Sequence, residues 1–340
     1  GADLGARSPT LRRAVPRCFG KSYNSSEKTA TAENKGKIVA TAAATAIAWS
    51  SAHDDGKPGA LLNAKHAVFD KLVYVKLRAA MGGKVVYAVS GGAPLGARLG
   101  HFYRGIGLTV LEGYGLTETT APATINTPEL IKIGTVGPPL PGVSIRIADD
   151  GEVLIKGNNV FSAYRNNQTA TSEVIVDGWF HSGDIGELDR DGFLKITGRK
   201  KEILVTTSGK NVAPAVLEDR LRAHPLVSQC IVVGDQRPFI GALITLDAEM
   251  LPAWATNNRL EALAMDAART NHVVLAEIQR AVDDANKAVS KAESIRRFTV
   301  LPGDFTEANG YLTPSLKLKR NIVMTDYWLE VDSLYSTPSH

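Results

Sequence analysis

The chain has 340 residues, 44% of them apolar and 22% charged, a globular composition long enough for two domains or three at about 100–200 residues each. Thirty-nine basic residues against 35 acidic ones leave a net charge of +4, too small and too evenly spread to point to nucleic acid. Cys18 and Cys230 allow one disulfide at most and no CxxC site, which excludes a disulfide-dense secreted scaffold and makes a reducing cytoplasm the default.

Residues 1–36 are polar and without period, and read as an irregular segment. Arg7, Arg12, Arg13 and Arg17 with almost no acid resemble a transit peptide, against which an ordinary surface segment is the preferred reading. The longest nearly apolar run, Ile38 to Trp49, is shorter than the ~20 residues of a bilayer span and reads as a helix buried in a core. Helices are predicted over Gly36–Ser51 and Ala60–Ala80. In the second, Leu61, Leu62, Ala64, Val68, Leu72 and Val75 recur at helical spacing, and Gly82-Gly83 end it.

Lys84 to Ser90 is a short apolar run of the kind found in buried parallel strands, with Gly91-Gly92 at its end. A helix is predicted over Ala93–Phe102, with Pro94 in its first turn. Leu108 to Leu111 is a second such strand, ending in a glycine turn at Gly113-Tyr114-Gly115. Strand, glycine turn, helix, strand, glycine turn is the order of an open α/β sheet, which binds ligands at the carboxyl ends of its strands.

Beyond Gly134 the pattern turns to β. Val143–Ile147 and Glu152–Lys156 alternate around Asp149-Asp-Gly151 as a hairpin, and Trp179-Phe180 and Phe193–Thr197 continue it. A domain boundary is expected near Gly198, dividing the chain into 1–36, 37–198 and 199–340. After it come a hairpin at Glu202–Val205, a helix at Pro214–Ala223, strands at Gln229–Val233 and Gly241–Leu246, helices over Ala262–Ser290, a strand at Arg297–Leu301 and a tail.

Three places carry candidate chemistry. Glycines at strand ends let backbone N–H groups approach a phosphate or base closely, which singles out Ser90-Gly91-Gly92-Ala93 and Glu112-Gly113-Tyr114-Gly115. Beside the second, Tyr114 can lay its ring on a base, Thr117 can bond a phosphate oxygen and Glu118 can hold Mg²⁺. Asp184, just after a strand and a glycine, can accept the hydroxyls of a ribose, although on its own it reads better as a turn former. Arg199, in the charge cluster Thr197 to Glu202, offers a forked donor to phosphate or ribose; the cluster also reads as a solvated hairpin face.

Tyr114-Gly-Leu-Thr-Glu118, Trp179-Phe-His-Ser-Gly-Asp184, Gly198-Arg-Lys-Lys-Glu202 and the Thr-Pro-Ser-Leu-Lys317 tail resemble, in order, the core motifs of the adenylate-forming superfamily. Ser90-Gly-Gly-Ala-Pro-Leu95, Gly209-Lys-Asn-Val-Ala-Pro214 and Leu316-Lys-Leu-Lys-Arg320 resemble more narrowly the AMP-forming long-chain fatty-acid–CoA ligases of actinobacterial type. The likeness runs from about Val15 to about Asn321. It implies an α/β fold with part of a large N-terminal domain, built of an α/β sheet and a distorted β-barrel, and a small mobile α+β C-terminal domain.

The resemblance also implies a reaction. A fatty carboxylate attacks the α-phosphate of ATP, giving acyl-AMP and pyrophosphate, and the CoA thiol then displaces AMP. Lys317 would bridge the phosphate and the carboxylate, Thr117 would bind phosphate and Glu118 Mg²⁺. Gly91, Gly92, Ala93, Glu112, Gly113, Tyr114, Gly115, Asp184 and Arg199 would hold the nucleotide, Lys201 would be the hinge, and Gly209 would face the CoA channel. The expected partners are fatty acid, ATP and CoA, with no nucleic acid. A peripheral membrane contact and a homodimer stay open.

The Ser/Thr/Gly-rich loop ending in Pro-Lys-Gly, which in relatives cradles the β- and γ-phosphates, has no counterpart here. Gly20-Lys21-Ser22 follows Val15 where a phosphate loop needs glycine. The chain, which begins at Gly1, is therefore expected to start inside the large domain, and its activity alone is an open question. A non-catalytic adenylate-binding remnant and an acyl-AMP ligase that loads a carrier protein remain as alternatives.

Overall fold

The computed structural model describes residues 11–14, 19–20, 23, 36–54, 56–261, 263–314 and 317–336. Most of the 1–36 segment, with Arg7, Arg17, Cys18 and the Gly20-Lys21-Ser22 match, lies largely outside them, as do Ser315 and Leu316. The chain divides into two compact units, Gly1–Lys200 and Lys201–His340. The division falls two residues beyond the expected one, because Arg199 still belongs to a strand of the first unit.

The first unit opens on β1 (Leu11–Ala14), a strand inside the segment expected to be irregular. It pairs in parallel with β2 (Tyr87–Ser90), which pairs in parallel with β3 (Thr109–Leu116). The strand at Leu11–Ala14 exists only through that distant partner, which no local pattern announces. The antiparallel β4 (Ala121–Ile125) completes a four-stranded sheet. The helices α1 (Gly36–Asp54) and α4 (Ala97–Gly105) share one apolar core with the sheet, through Ala42, Ala43, Ala46, Leu99, Phe102, Ala88 and Val110.

Between α1 and β2 the predicted 60–80 helix forms as α2 (Ala60–Phe69) and α3 (Val75–Ala80), joined by a π-helical turn at Asp70–Tyr74. Most of the apolar positions at helical spacing are exposed. Leu61 is 85% exposed, and Val68, Leu72 and Val75 are exposed as well, while Val73 and Tyr74 are buried. The wide turn itself supplies the fully buried residues of this segment, and the helices on either side of it supply none. Tyr74 closes that contact by donating its hydroxyl to the Ala42 carbonyl at 2.7 Å. The helix expected at Ala93 starts at Ala97, because the Pro94-Leu95 stretch is held as a loop by Glu112, described below.

The rest of the unit is a five-stranded sheet of β5 (Val143–Ile147), β6 (Glu152–Gly157), β7 (Ile175–Val176), β8 (Trp179–Leu188) and β9 (Leu194–Arg199). The order is β5-β6-β8-β7, with β9 also on β8, and every pairing is antiparallel. Where a distorted barrel was expected, the described strands form open sheets that do not close on themselves. α5 (Gln168–Val174) precedes β7.

The second unit contains the short hairpin β10 (Leu204–Val205) and β11 (Asn211–Val212), then α6 (Pro214–Arg222). Its sheet is β12 (Val227–Val233), β13 (Ile240–Leu246) and β14 (Ile295–Val300), the first pair antiparallel and the second parallel. α7 (Leu251–Asn257), α8 (Met265–Thr270) and α9 (His272–Asn286) intervene. The sheet separates two apolar cores, one with α6 and α9 and the other with α10 (Arg320–Asp326) and α11 (Trp328–Ser336). These two last helices replace the expected tail. Val323, Val331 and Leu334 are the apolar residues that bury them.

Cys230 is a free thiol within the first of these cores, and burial pushes it up to about 12, which leaves it inert. Among the described residues no helix is long and apolar enough to cross a membrane.

Candidate functional site

β2 and β3 run in parallel with Ser90 opposite Glu112, so both glycine segments emerge together at the carboxyl end of the same sheet. Gly91, Gly92 and Ala93 form the loop after β2. Gly92 has φ +87°, a conformation that costs a side chain-bearing residue strain. Gly113, Tyr114 and Gly115 are not a turn, as the pattern suggested, but a continuation of β3 paired with β4. Gly115 is glycine for lack of space: a Cβ there would collide with the backbone of Ala121 and lie 2.8 Å from Pro122 Cα. Glu112 is buried, and its Oε2 accepts the backbone N–H of Leu95 at 3.0 Å. It therefore ties the Gly91–Ala93 loop to β3.

Tyr114 projects from β3 and donates its hydroxyl to Asp184 Oδ2 at 2.6 Å. Asp184 lies on β8 and is 3% exposed. Its other oxygen, Oδ1, faces Arg199 Nε at 3.1 Å, across the β8–β9 register that pairs the two residues directly. Burial first, and then the neighbouring Asp184 carboxylate, hold the Tyr114 phenol well above its ordinary value, so it stays a donor. Asp184 thus faces a phenol donor with one oxygen and a guanidinium with the other. The remaining guanidinium nitrogens of Arg199, whose side chain is half exposed, have no partner among the described residues.

Glu118 and Thr117 sit in a 3₁₀ turn, Thr117–Thr119, between β3 and β4. The Tyr164 hydroxyl donates to Glu118 Oε1 at 2.8 Å. Burial and then that carboxylate raise the Tyr164 phenol above its ordinary value. Glu118 Oε2 and the Thr117 hydroxyl, the latter on an exposed residue, have no partner among the described residues. The turn ends in two strained residues, Thr120 at φ +53° and Ala121 at φ +88°. Thr119 holds them in place: its buried hydroxyl accepts the Leu116 N–H at 2.9 Å and donates to the Ala121 carbonyl at 2.8 Å.

Lys200, which the sequence offered only as one charge of a solvated hairpin face, bridges Asp150 at 2.6 Å and Glu152 at 2.9 Å. Glu152 is buried, accepts the Gly183 N–H at 2.8 Å and faces His181 at 3.2 Å. It thereby braces the turn that delivers Asp184. Tyr164 and Glu152 carried no motif that could have singled them out.

Lys201, Gly209 and Lys317 belong to the second unit. Lys201 is exposed in the 3₁₀ turn Lys200–Glu202, at the division between units. Gly209, at φ +77°, is at the exposed tip of the β10–β11 hairpin. Lys317 is exposed on a loop closed by two contacts with Thr313. The Thr313 N–H donates to the Lys317 carbonyl at 2.8 Å, and the Lys317 N–H donates to Thr313 Oγ1 at 3.0 Å.

Metal capacity is narrow. Among the described residues no three His, Cys, Asp or Glu side chains group as a metal site. Glu118, with one free oxygen, fits a cation such as Mg²⁺, which usually takes one or two carboxylates and fills its other positions with phosphates and water.

Residues 3–165 match the family model described as AMP-binding enzyme, and residues 201–339 match the one described as AMP-binding enzyme C-terminal domain. A curated long-chain-fatty-acid–CoA ligase of Mycobacterium tuberculosis, FadD15, is 57% identical over 98% of this chain and 56% of its own length. The chain thus spans a little over half of that relative. The A-PCP didomain of a carboxylic acid reductase from Segniliparus rugosus, solved in complex with AMP, has the same fold, with a TM-score of 0.70 and 22% identity over 98% of this chain and 42% of that one. An O-succinylbenzoate coenzyme A synthetase from Bacillus subtilis, solved with ATP and magnesium ion, is 26% identical over 70% of this chain and 46% of its own, with a TM-score of 0.52.

Proposed function

The chain belongs to the AMP-binding enzymes, and from that premise we propose that it is the adenylate-binding and acyl-transferring part of an AMP-forming long-chain fatty-acid–CoA ligase. The observation that supports the reading best is the Tyr114–Asp184–Arg199 cluster beside the two glycine segments. It offers an aromatic face, a buried carboxylate and a half-exposed guanidinium beside the carboxyl ends of the parallel strands β2 and β3, a set suited to base, ribose and phosphate.

In this reading adenine lies against Tyr114 and the Gly91–Ala93 loop, with Glu112 holding the loop in place. The Asp184 carboxylate accepts from the ribose hydroxyls, and Arg199 reaches the ribose or the α-phosphate. Thr117 donates its free hydroxyl to a phosphate oxygen. Glu118 holds Mg²⁺, which when bound offsets phosphate charge. The fatty carboxylate oxygen bonds to the α-phosphorus while the bond to the β-phosphate oxygen breaks and pyrophosphate leaves. Lys317 neutralises the charge gathered on both reacting groups, a positioned electrostatic contribution. In the second step the CoA sulfur bonds to the acyl carbon, its proton is lost and AMP leaves. Lys201 serves as the hinge between the two arrangements, and the Gly209 hairpin faces the CoA channel.

Fatty-acid-dependent exchange of labelled pyrophosphate into ATP, with palmitate as substrate, tests the proposal. Exchange that is abolished on omitting palmitate supports it. AMP binding without any exchange overturns catalysis by this chain and leaves the adenylate-binding remnant.

A further inference from the structure

We infer that the buried Glu218–Arg320 pair is the positioning device for Lys317. The inference rests on the catalytic role proposed for that lysine. Arg320 begins α10, three residues after Lys317, and its side chain is only 17% exposed. Its Nη2 bonds Glu218 Oε1 at 2.5 Å, and its Nη1 donates to the Val232 carbonyl at 2.8 Å. Glu218, 7% exposed at its side chain, lies on α6 and accepts the Val232 N–H on the same Oε1 at 2.8 Å. Helix α6, strand β12 and the chain end that carries Lys317 therefore meet at one carboxylate.

The geometry of the loop gives that junction its purpose. A Leu312–Leu318 bridge, the Thr313–Lys317 contacts and the Lys319 N–H to the Tyr311 carbonyl at 2.8 Å form a small hairpin. Its outgoing arm is anchored by buried Leu312, whose core also holds Phe305. Its returning arm carries exposed Lys317 and half-buried Lys319 and is anchored at Arg320. A lysine has four rotatable carbons of its own, so the precision of its ammonium depends on how firmly its backbone is held. Reactive alignment is sensitive to misplacements of about 1 Å, which can cost roughly 100-fold in rate. Arginine suits the task because its planar fork serves the carboxylate and the carbonyl from two nitrogens in fixed geometry, where a lysine offers a single nitrogen on a flexible stem.

Arg222, 3.9 Å from Glu218 Oε2 and paired with Asp219, also faces the carboxylate, so removing Arg320 does not leave Glu218 without a cation. That makes Arg320→Lys and Arg320→Gln usable probes, with Glu218→Gln as the reciprocal one.

The test combines two measurements on the chain and its variants. Amide hydrogen exchange at Lys317, Leu318 and Lys319 reads the loop, with α9 amides as the internal standard for global folding. Partial reactions read the consequence, palmitate-dependent pyrophosphate exchange for adenylation and CoA-dependent consumption of supplied palmitoyl-AMP for transfer. The expected result is exchange at least ten times faster at Lys317–Lys319, unchanged protection in α9, and adenylation kcat down roughly 100-fold with KM for ATP and the transfer rate within two-fold. Arg320→Lys should fall between wild type and Arg320→Gln. Unchanged loop exchange, or equal loss of both partial reactions in a variant whose α9 protection is intact, overturns the inference. If Arg320→Gln loses protection in α9, Glu218→Gln decides by the same criteria. Wild-type chain that shows no exchange of pyrophosphate would instead sink the proposed function, while the hydrogen-exchange arm would still report on the clamp.

Discussion

Tyr114 and Asp184, 70 residues apart in the chain, meet through a 2.6 Å hydrogen bond in which the phenol donates to a buried carboxylate. The bond joins the four-stranded sheet to the five-stranded one, and Arg199 completes it from the far oxygen. Replacing Tyr114 by Phe keeps the aromatic face and removes the donor. A hydrogen bond to a charged group contributes about 1.5–3 kcal/mol. The variant is expected to unfold earlier by that amount in urea and to bind AMP about ten-fold more weakly by calorimetry. Tyr114→Ala should lose binding further, and equal binding by Phe and Ala variants would show that the ring makes no contact with the base.

Glu118→Gln keeps the Tyr164 hydrogen bond acceptor and removes the charge. AMP binding is expected to stay within about three-fold, while the Mg²⁺ concentration for half-maximal pyrophosphate exchange rises at least ten-fold, as follows when a cation loses one of its one or two protein carboxylates. An unaltered Mg²⁺ dependence would place the ion elsewhere.

Lys317→Ala should abolish palmitate-dependent adenylation, a loss of about 100-fold or more for a group that stabilises charge only in the transition state. Transfer from supplied palmitoyl-AMP to CoA should remain largely intact. Equal loss in both assays would refute the role.

Gly115→Ala forces a methyl group into the backbone of Ala121 and Pro122. Overpacking of this kind costs about 1–3 kcal/mol. The denaturant midpoint is expected to fall accordingly. The strained turn at Thr120 and Ala121 should shift, and nucleotide binding should weaken with it. A variant as stable as wild type would show that β4 can yield.

Acid should release the brace behind Asp184. Burial pulls the Glu152 carboxyl up, but Lys200, the Gly183 N–H and His181 together hold it below its ordinary 4.5. A carboxylate lowered in the folded state stabilises it at pH above the unfolded value, and the contribution vanishes as pH falls through the folded one. Thermal unfolding followed from pH 7 to pH 3 should therefore decline below about pH 4.5. Lys200→Met should start lower at pH 7 and decline less steeply. Parallel curves would show that Lys200 does not hold Glu152.

Much of this was legible in order along the chain. The parallel strands at Tyr87–Ser90 and Thr109–Leu111, the hairpin about Asp149-Asp-Gly151 and the helix from Pro214 follow from local signals. β-branched runs, turn glycines and a proline at a helix start act through the residue's own backbone, so they survive without tertiary context. The site was legible in part. Glu118, Asp184 and Arg199 were singled out, but Tyr164, Glu152 and Lys200, which hold two of them in position, were not. Their work is done across loops, where an ordinary Tyr, Glu or Lys carries no periodic or spacing signature.

By itself the sequence determined that the runs before Gly91 and Gly113 are strands, that a helix starts at Pro214, and which residue types stand at the strand ends. Only the tertiary structure decided that Leu11–Ala14 is a strand, that Gly113–Gly115 stays extended under β4, and that Leu61, Val68, Leu72 and Val75 face outward across a π-helical turn. It alone set Asp184 between Tyr114 and Arg199, and Glu218 against Arg320. The reason is physical: pairing, helical phase and buried charge contacts are settled by which distant surface removes a group from water, and that surface is created only when the chain folds.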